Sequence, residues 1–312
     1  MQEKENKGRM KAINLRQSFW AHIYLNLAAG RLAQILWEIK KQFGRIKKGR
    51  KKTAREKELV LWLHRQELEK VEIKSREGIK LTGRFLKHPD AERVVLMFHG
   101  WRGRWDQDGA ALAKGLYEKK SSILLVNQRA HQTSGGKYIG FGVLERYDCL
   151  KWLEYLVQNT NPSLPIYLSG ISMGAATVLM TSGLELPERV AGVIADCGFT
   201  TPYEMIRIFA KKFFKSKEIE MADAVNCLFK KKAGYDLKEY STLEAMKSCS
   251  VPVFFAHGTK DMFVPYEMTV QNYEACVSKK KLLSVEGAVH TGSYLSDPQK
   301  YMDELAEFFQ WD

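Results

Sequence analysis

Residues 165–177 read Pro-Ile-Tyr-Leu-Ser-Gly-Ile-Ser-Met-Gly-Ala-Ala-Thr, and this stretch decides the fold. The apolar run 166–169 is typical of a short buried strand, and the small residues after Gly174 are typical of a helix packed closely on it. Between them lies a G-x-S-x-G turn with Ser172 at its centre. A turn of this kind between a strand and a helix raises the serine hydroxyl above the edge of a sheet. The stretch therefore predicts an α/β fold in which Ser172 is a candidate nucleophile.

An ordinary strand-to-helix turn is the alternative interpretation, and the rest of the chain decides between the two. A serine hydroxyl is a poor nucleophile at neutral pH and needs a base that is itself oriented by a carboxylate. In sites built on this turn the chain order is serine, then Asp or Glu, then His. After Ser172 the sequence contains two histidines, His257 and His290.

Asp261 and His290 follow consecutive apolar runs. The run 251–256 leads through His257 into a loop that carries Asp261, and the run 281–285 leads into a loop that carries His290. Both loops are expected at the sheet edge that carries Ser172, so we predict a Ser172–His290–Asp261 triad. His257 precedes a glycine at its strand end, and we expect a structural role for it.

Three other acids compete with Asp261 for the role of the carboxylate. None of them follows a predicted strand, and each is better explained as a solvated charge on a helix: Asp223, Asp236 and Glu244.

The strand predicted at 93–98 is followed by His99-Gly100-Trp101-Arg-Gly103. In strand–turn–helix sites, one N–H that binds the oxyanion follows the nucleophile and the other lies in the loop after the third strand. We therefore predict that the backbone N–H groups of Met173 and Trp101 form an oxyanion hole. A plain turn at the end of the strand is the alternative for His99-Gly100.

With these elements in place, residues 66–312 resemble the α/β-hydrolase superfamily, and within it the bacterial serine esterases related to cinnamoyl esterases and acyl-peptidases. Arg129-Ala-His131-Gln-Thr-Ser134-Gly-Gly136 and the stretch from Gly140 to Asp148 are similar to that branch's loop after the fourth strand and its following helix. The usual pattern has glycine after His131, where this chain has Gln132. Thr291-Gly-Ser-Tyr294 is close to the small-residue stretch expected after the histidine.

The strand pattern predicts an eight-stranded, mostly parallel sheet flanked by helices, with an antiparallel hairpin at its start. The predicted strands are Val71–Ser75, Lys80–Leu86, Arg93–Phe98, Ser122–Asn127, Ile166–Ser169, Val190–Asp196, Val253–His257 and Lys281–Val285. We expect an N-terminal helical arm at 1–65, a hydrolase domain at 66–312 and a small helical cap inserted at about 199–250. In the cap, Phe199, Tyr203 and Phe209 either line an acyl pocket or simply pack the cap helices together.

The positive charge of the chain is concentrated at its N-terminus. Residues 1–57 hold 16 Lys/Arg against 4 Asp/Glu, whereas the remaining 255 residues hold 33 against 32. Only 14 residues, too few for a spanning helix of about 20 apolar residues, separate Arg16 from Arg31. We expect an interfacial helix with a polybasic flank, suited to an anionic membrane surface. Nucleic acid is a less favoured partner, and a helix packed on the hydrolase body is the equal alternative.

The five cysteines are scattered, and none has metal-ligand spacing. They indicate reduced thiols in a cytoplasmic enzyme, associated with the cytoplasmic face of a membrane if the arm binds there. We expect no cofactor and no metal. The function predicted is hydrolysis of small-molecule carboxylic esters through an acyl-enzyme. A peptidase or thioesterase with the same triad, and a non-catalytic binding protein of the same fold, remain alternatives.

Overall fold

In the computed structural model of the protein, the described residues are 21–23, 30 and 53–311, and the side chains of residues 213–215 are not described. Most of the arm predicted at 1–65 therefore lies outside the described residues. Its last part is a helix, α1 (Ala54–His64), which begins at a capping box formed by Thr53 and Glu56. Leu63 is fully buried against the body, and His64 Nε2 lies 2.9 Å from the Asp106 carboxylate.

Eight strands form one sheet in the order β1-β2-β4-β3-β5-β6-β7-β8. β1 and β2 form an antiparallel hairpin, β2 pairs antiparallel with β4, and every pair from β4 through β3 to β8 is parallel. The strands are β1 (Leu68–Lys74), β2 (Lys80–Leu86), β3 (Arg93–Phe98), β4 (Ser121–Asn127), β5 (Ile166–Ile171), β6 (Val190–Asp196), β7 (Val253–Gly258) and β8 (Lys280–Val285). The predicted α/β-hydrolase sheet is confirmed, with strand ends within three residues of those expected.

The described helices lie on both faces of the sheet and above one of its edges. After α1 they are α2 (Ala110–Glu118), α3 (Glu145–Asn159), α4 (Met173–Ser182), α5 (Pro202–Phe214), α6 (Glu218–Ala233), α7 (Thr242–Ser248), α8 (Tyr266–Ala275), α9 (Ser293–Ser296) and α10 (Pro298–Phe309). No helix in this part of the chain is long and apolar enough to cross a membrane.

Two apolar cores cover the two faces of the sheet, as the alternation of side chains along β3 shows. Leu96 and Phe98 belong to the core that also contains Trp152 of α3 and Val178 of α4. Val95 belongs to the other core, which contains residues of α1, α2 and α10. Because side chains of a strand point alternately to opposite faces, β3 is buried along its whole length between these two layers.

A third apolar cluster lies beneath α5 and α6, the helices that follow β6. It joins Met205, Ile206 and Phe229 of these helices to Met173 at the start of α4. The third helix of the stretch 199–250, α7, packs against α4 and so belongs to the layer that flanks the sheet. The domain boundaries at 65/66 and 199/250 remain predictions.

Two short described pieces of the N-terminal region contact this part of the body. Ala21 is fully buried and belongs to the cluster beneath α5 and α6. Gly30 forms an isolated antiparallel bridge with Tyr138, which neighbours Ile139 of the same cluster. These contacts favour the interpretation in which the N-terminal region packs on the body.

Candidate active site

Ser172 lies on the turn between β5 and α4 with a φ of 56°, a backbone conformation that residues with a side chain rarely adopt. Its N–H donates to the carbonyl oxygen of Asp196 at 2.8 Å. Glycine is required on both sides of Ser172 because other backbone atoms lie too close to leave room for a Cβ. A Cβ on Gly170 would lie 2.2 Å from the carbonyl carbon of Gly174, and a Cβ on Gly174 would lie 2.2 Å from the carbonyl oxygen of Phe98. The G-x-S-x-G pattern therefore follows from local packing.

Ser172, His290 and Asp261 form one hydrogen-bonded series. Nε2 of His290 lies 3.0 Å from Oγ of Ser172, and Nδ1 of His290 lies 2.6 Å from Oδ2 of Asp261. The carboxylate can only accept, so Nδ1 carries the proton and Nε2 accepts from the serine hydroxyl. In this arrangement the imidazole can take the serine proton while the carboxylate stabilises the resulting positive charge.

The Asp261 carboxylate receives four hydrogen bonds. Oδ1 accepts from the backbone N–H groups of Phe263 at 2.8 Å and Val264 at 3.0 Å. Oδ2 accepts from both His290 and His257. Burial of the carboxylate opposes its charged form, but the hydrogen bonds from the two histidines outweigh this and hold the pKa of Asp261 well below its usual range. Asp261 is therefore ionised at any pH at which the protein would be assayed.

His257 is the residue at this site whose contact the sequence did not predict. Its Nε2 lies 3.0 Å from Oδ2 of Asp261, and the ring is fully buried at the end of β7. The only hint in the sequence was the spacing of four residues between His257 and Asp261 across a turn that begins with glycine. Direct contact with the carboxylate became evident only in the folded chain.

The loop after β3 passes directly beside the serine. A Cβ placed on Gly100 would lie 3.4 Å from the Cβ of Ser172. Buried His99 supports this loop, since its Nδ1 donates to the carbonyl of Gly100 at 2.7 Å and its Nε2 accepts from the N–H of Gln128 at 3.2 Å. Burial lowers the pKa of His99. One ring nitrogen donates and the other accepts, as in a neutral imidazole.

His131, from the stretch after β4, also supports this loop. Its Nε2 accepts from the backbone N–H of Arg102 at 3.1 Å, and its ring meets that of His99 edge-on at 4.7 Å. The next residue, Gln132, has a φ of 46°. Glycine adopts that left-handed conformation most readily, which fits the glycine that the resembled pattern has after the histidine.

The two predicted oxyanion donors lie on the elements that approach Ser172. Met173 is the first residue of α4, directly after the serine, and its side chain is fully buried. Trp101 directly follows Gly100, and its ring stacks against Phe263 with centroids 6.3 Å apart. Their role as oxyanion donors stays a prediction.

The three predicted pocket residues differ in their distance from the site. Phe209 packs at 5.0 Å from the ring of Phe263, which itself lies 4.8 Å from the ring of His290. Phe199 is buried in the cluster beneath α5 and α6. Tyr203, although it packs against the same cluster, donates its hydroxyl to Asp223 of α6 at 2.9 Å. Phe209 is thus linked to the site through one ring, whereas the hydroxyl of Tyr203 lies between two helices.

Within the described residues, one set of three metal-ligand atoms lies within 4.8 Å, contributed by Cys197, Asp261 and His290. Burial raises the pKa of the Cys197 thiol well above its ordinary value, so the sulfur stays protonated. The carboxylate and the imidazole are already hydrogen-bonded to each other. Because metal ions bind thiolates, this set is poorly suited to one.

Comparisons with known proteins agree with this architecture. A sequence family described as the alpha/beta hydrolase fold matches residues 93–226. The uncharacterized protein YqkD of Bacillus subtilis is 28% identical over 187 residues, which are 60% of this chain and 61% of that protein. The match therefore spans about three fifths of that relative's length.

Two solved structures share the fold at low sequence identity. The esterase Pf2001 of Pyrococcus furiosus superposes with a TM-score of 0.64 and 23% identity, over 81% of this chain and 94% of that one. Est1E of Butyrivibrio proteoclasticus, solved with ferulic acid bound, superposes with a TM-score of 0.60 and 19% identity, over 77% of this chain and 98% of that one. Together with the matched family model and the eight-stranded sheet, they show that the chain has the α/β-hydrolase fold.

Proposed function

We propose that this protein is a serine hydrolase that cleaves carboxylic esters of small molecules. The observation that carries the proposal is the position of His290, whose two ring nitrogens lie 3.0 Å from Oγ of Ser172 and 2.6 Å from Oδ2 of Asp261. Such a series turns a serine hydroxyl into a nucleophile that forms a covalent acyl intermediate.

The reaction would proceed in two halves. His290 takes the proton of the Ser172 hydroxyl as Oγ attacks the acyl carbonyl carbon, and Asp261 stabilises the imidazolium that forms. The backbone N–H groups of Trp101 and Met173 would stabilise the oxyanion, at roughly 3 kcal/mol for each donor. His290 then protonates the leaving alcohol. In the second half, water loses a proton to His290 and attacks the acyl carbon. The bond between that carbon and Ser172 Oγ then breaks, His290 returns the proton to Oγ, and the acid leaves.

The two superposed structures add support for an ester substrate over other acyl compounds. Pf2001 is described as an esterase, and Est1E was solved with ferulic acid, a carboxylic acid, bound. This chain covers 94% of the former and 98% of the latter. A peptidase or a thioesterase would use the same three side chains, because the triad does not select the leaving group. A non-catalytic binding protein would retain the fold without needing the hydrogen bond between Ser172 and His290.

Substitution of the nucleophile tests the proposal. Ser172→Ala should abolish hydrolysis of p-nitrophenyl esters and covalent labelling by a fluorophosphonate, since it removes the hydroxyl that lies 3.0 Å from His290 Nε2. Ser169→Ala is the matched control, because Ser169 is a buried serine on β5, the strand that leads into the turn at Ser172. Full labelling of Ser172→Ala would refute the assignment. Rates on matched acyl thioesters and aminoacyl anilides would decide among ester, thioester and amide hydrolysis.

For location, we propose a cytoplasmic enzyme whose residues 1–57 contact an anionic membrane surface. The support for this is the charge of that segment, 16 Lys/Arg against 4 Asp/Glu, beside a nearly neutral body. The buried positions of Ala21 and Gly30 indicate that part of the same segment also packs on the body.

A further inference from the structure

His257 and His290 bind the same oxygen of the same carboxylate. Oδ2 of Asp261 lies 3.0 Å from Nε2 of His257 and 2.6 Å from Nδ1 of His290. Both side chains of the His257–Asp261 pair are fully buried, whereas the side chain of His290 is 23% exposed. The inner histidine is therefore shielded from solvent, and the outer one is open to a substrate.

The proton positions on His257 follow from its partners. Asp261 only accepts, so Nε2 of His257 carries a proton, and it also lies 3.2 Å from the carbonyl oxygen of Val264. On the other side of the ring, Nδ1 lies 2.7 Å from the hydroxyl of Thr269. The Thr269 hydroxyl also lies 3.2 Å from the carbonyl oxygen of Gly198. In the neutral ring, Nδ1 takes the hydroxyl proton as the nearer acceptor. Thr269, His257, Asp261, His290 and Ser172 then form one continuous series.

We propose that His257 is a positioning residue that sets how strongly Asp261 holds the protonated form of His290. The proposal rests on the proposed function, because it assigns His257 a role in tuning that same base. His257 is fully buried and bonds to the Asp261 carboxylate, so it acts on the site through that carboxylate.

The physical reason is competition for one oxygen. Oδ1 is already occupied by two backbone N–H groups, so both imidazoles must share the charge on Oδ2. Each N–H that donates to a carboxylate oxygen reduces the negative charge available to the other donor. Removing the His257 donor leaves Oδ2 to His290, which favours protonated His290. The rising acid limb of kcat/KM, which requires a neutral base, should then move to higher pH.

A purely structural role for His257 predicts the opposite direction. If His257 served only to hold the loop, its loss would let the carboxylate move away from His290. Protonated His290 would then lose its partner, and the acid limb would move to lower pH. The direction of the change therefore distinguishes tuning from scaffolding.

Other titratable and charged groups face this pair and must be held constant. Asp196 and Cys197 lie at the end of β6. The ring of Tyr266, on α8, lies 5.7 Å from the ring of His257. Nζ of Lys212 lies 3.4 Å from the carbonyl oxygen of Met262. Burial raises the pKa of Asp196 to about 6. These groups remain in every variant below, so a difference between two profiles reports on the His257 position.

The experiment compares His257→Leu with His257→Gln in the full-length protein. The leucine removes the donor, whereas the glutamine amide nitrogen can replace Nε2 as a donor to Oδ2. In His257→Leu we expect the acid limb to move up by about one pH unit. In His257→Gln it should stay near the wild-type position. Thr269→Val, which weakens the donor by removing its hydroxyl partner, should move the limb in the same direction by less.

A spectroscopic readout makes the test independent of turnover. The proton shared by His290 and Asp261 should give a far-downfield imidazole resonance, which His257→Leu should shift further downfield. A limb that stays in place or moves down in His257→Leu, or a glutamine variant that behaves like leucine, would overturn the proposal. If His257→Leu does not fold, the Gln and Thr269→Val variants decide by the same criteria. If the wild type hydrolyses no ester, the proposed function fails while the proton resonance still tests the positioning role.

Discussion

Beneath Ser172 the structure is fixed by contacts between backbone atoms, whereas above it helix α5 reaches the site through its side chains. We call the lower part, made of the turn at 170–174 and the strand ends beside it, the floor. There the Ser172 N–H donates to the carbonyl of Asp196, and the glycines of the turn lie against the backbone of β3. We call α5 and α6, the helices above the site, the roof. From α5, the Phe209 ring packs against the ring of Phe263, and Nζ of Lys212 lies 3.4 Å from the carbonyl oxygen of Met262.

This difference separates the region that holds the reacting groups from the region that we expect to contact the acyl chain. Backbone contacts in the floor cannot be changed by one side chain without moving a strand or a helix, so the positions of the reacting groups are fixed. Ring contacts in the roof can be altered one residue at a time. We therefore expect substitutions in the floor to affect turnover or folding, and substitutions in the roof to affect the choice of acyl group.

The largest effect is expected at the loop that completes the floor. Asp261→Asn should lower kcat by about 10⁴-fold, because an amide at this position no longer holds His290 in the orientation and tautomer that accept the serine proton. Asp223→Asn is the matched control, since Asp223 is the rival acid that lies on α6. Steady-state rates on a p-nitrophenyl ester measure both. Equal losses in the two variants would mean that Asp261 is not the carboxylate of the site.

A steric change in the turn comes next. Gly170→Ala places a Cβ 2.2 Å from the carbonyl carbon of Gly174, so the strand or the helix must shift. We expect the free energy of unfolding to fall by about 3 kcal/mol, as measured by urea denaturation.

Gly198→Ala is the control for that change. Its Cβ would meet the side chain of Ala175 at 3.2 Å, a contact that a small movement relieves. We expect a loss of under about 1 kcal/mol. Similar losses in both variants would show that the glycines of the turn are not under special backbone constraint.

In the roof, Phe209→Ala should change selectivity more than stability. It removes the ring that packs on Phe263, and we expect kcat/KM for a long-chain p-nitrophenyl ester to fall about 10-fold relative to the acetate. Tyr203→Ala truncates another aromatic ring of α5, whose hydroxyl binds Asp223, and should leave that ratio unchanged. If Tyr203→Ala changes this ratio as much as Phe209→Ala does, the helices above the site affect acyl selectivity through their overall packing and not through the Phe209 ring.

The smallest effect is expected from the basic segment. Replacing three of its lysines with glutamine should weaken sedimentation with anionic liposomes by several-fold at low salt and leave ester hydrolysis intact: Lys48, Lys51 and Lys52. The control makes three such replacements in α6: Lys230, Lys231 and Lys232. Substitutions are preferable to a truncation near Glu58, which would divide α1. Liposome binding that is absent in the wild type would exclude the membrane proposal.

The sequence alone was sufficient for the fold and for the candidate residues of the site. Two glycines flank Ser172 and predict the turn there. Asp261 and His290 each follow an apolar run, so their place at the same edge of the sheet as Ser172 could be predicted. The rationale is local, since strand, turn and helix patterns depend on neighbours within a few residues.

The sequence was less informative about the helices above the site. Phe199, Tyr203 and Phe209 have the same aromatic character and were predicted together. Phe209 lies six positions after Tyr203, which places the two on different faces of α5, and only one face meets Phe263. Which face turns inward depends on how α5 packs against the loop after β7, and that packing is a long-range property.

What the sequence by itself determined is the order of strands and loops, the local turn at Ser172 and the concentration of charge in residues 1–57. Only the folded chain gave the 3.0 Å between Nε2 of His290 and Oγ of Ser172, which lie 118 positions apart in the sequence. It alone showed that His257 shares Oδ2 of Asp261 with His290. The physical reason is that periodicity and turn chemistry act between near neighbours, whereas a shared carboxylate oxygen depends on where two separate loops meet above the sheet.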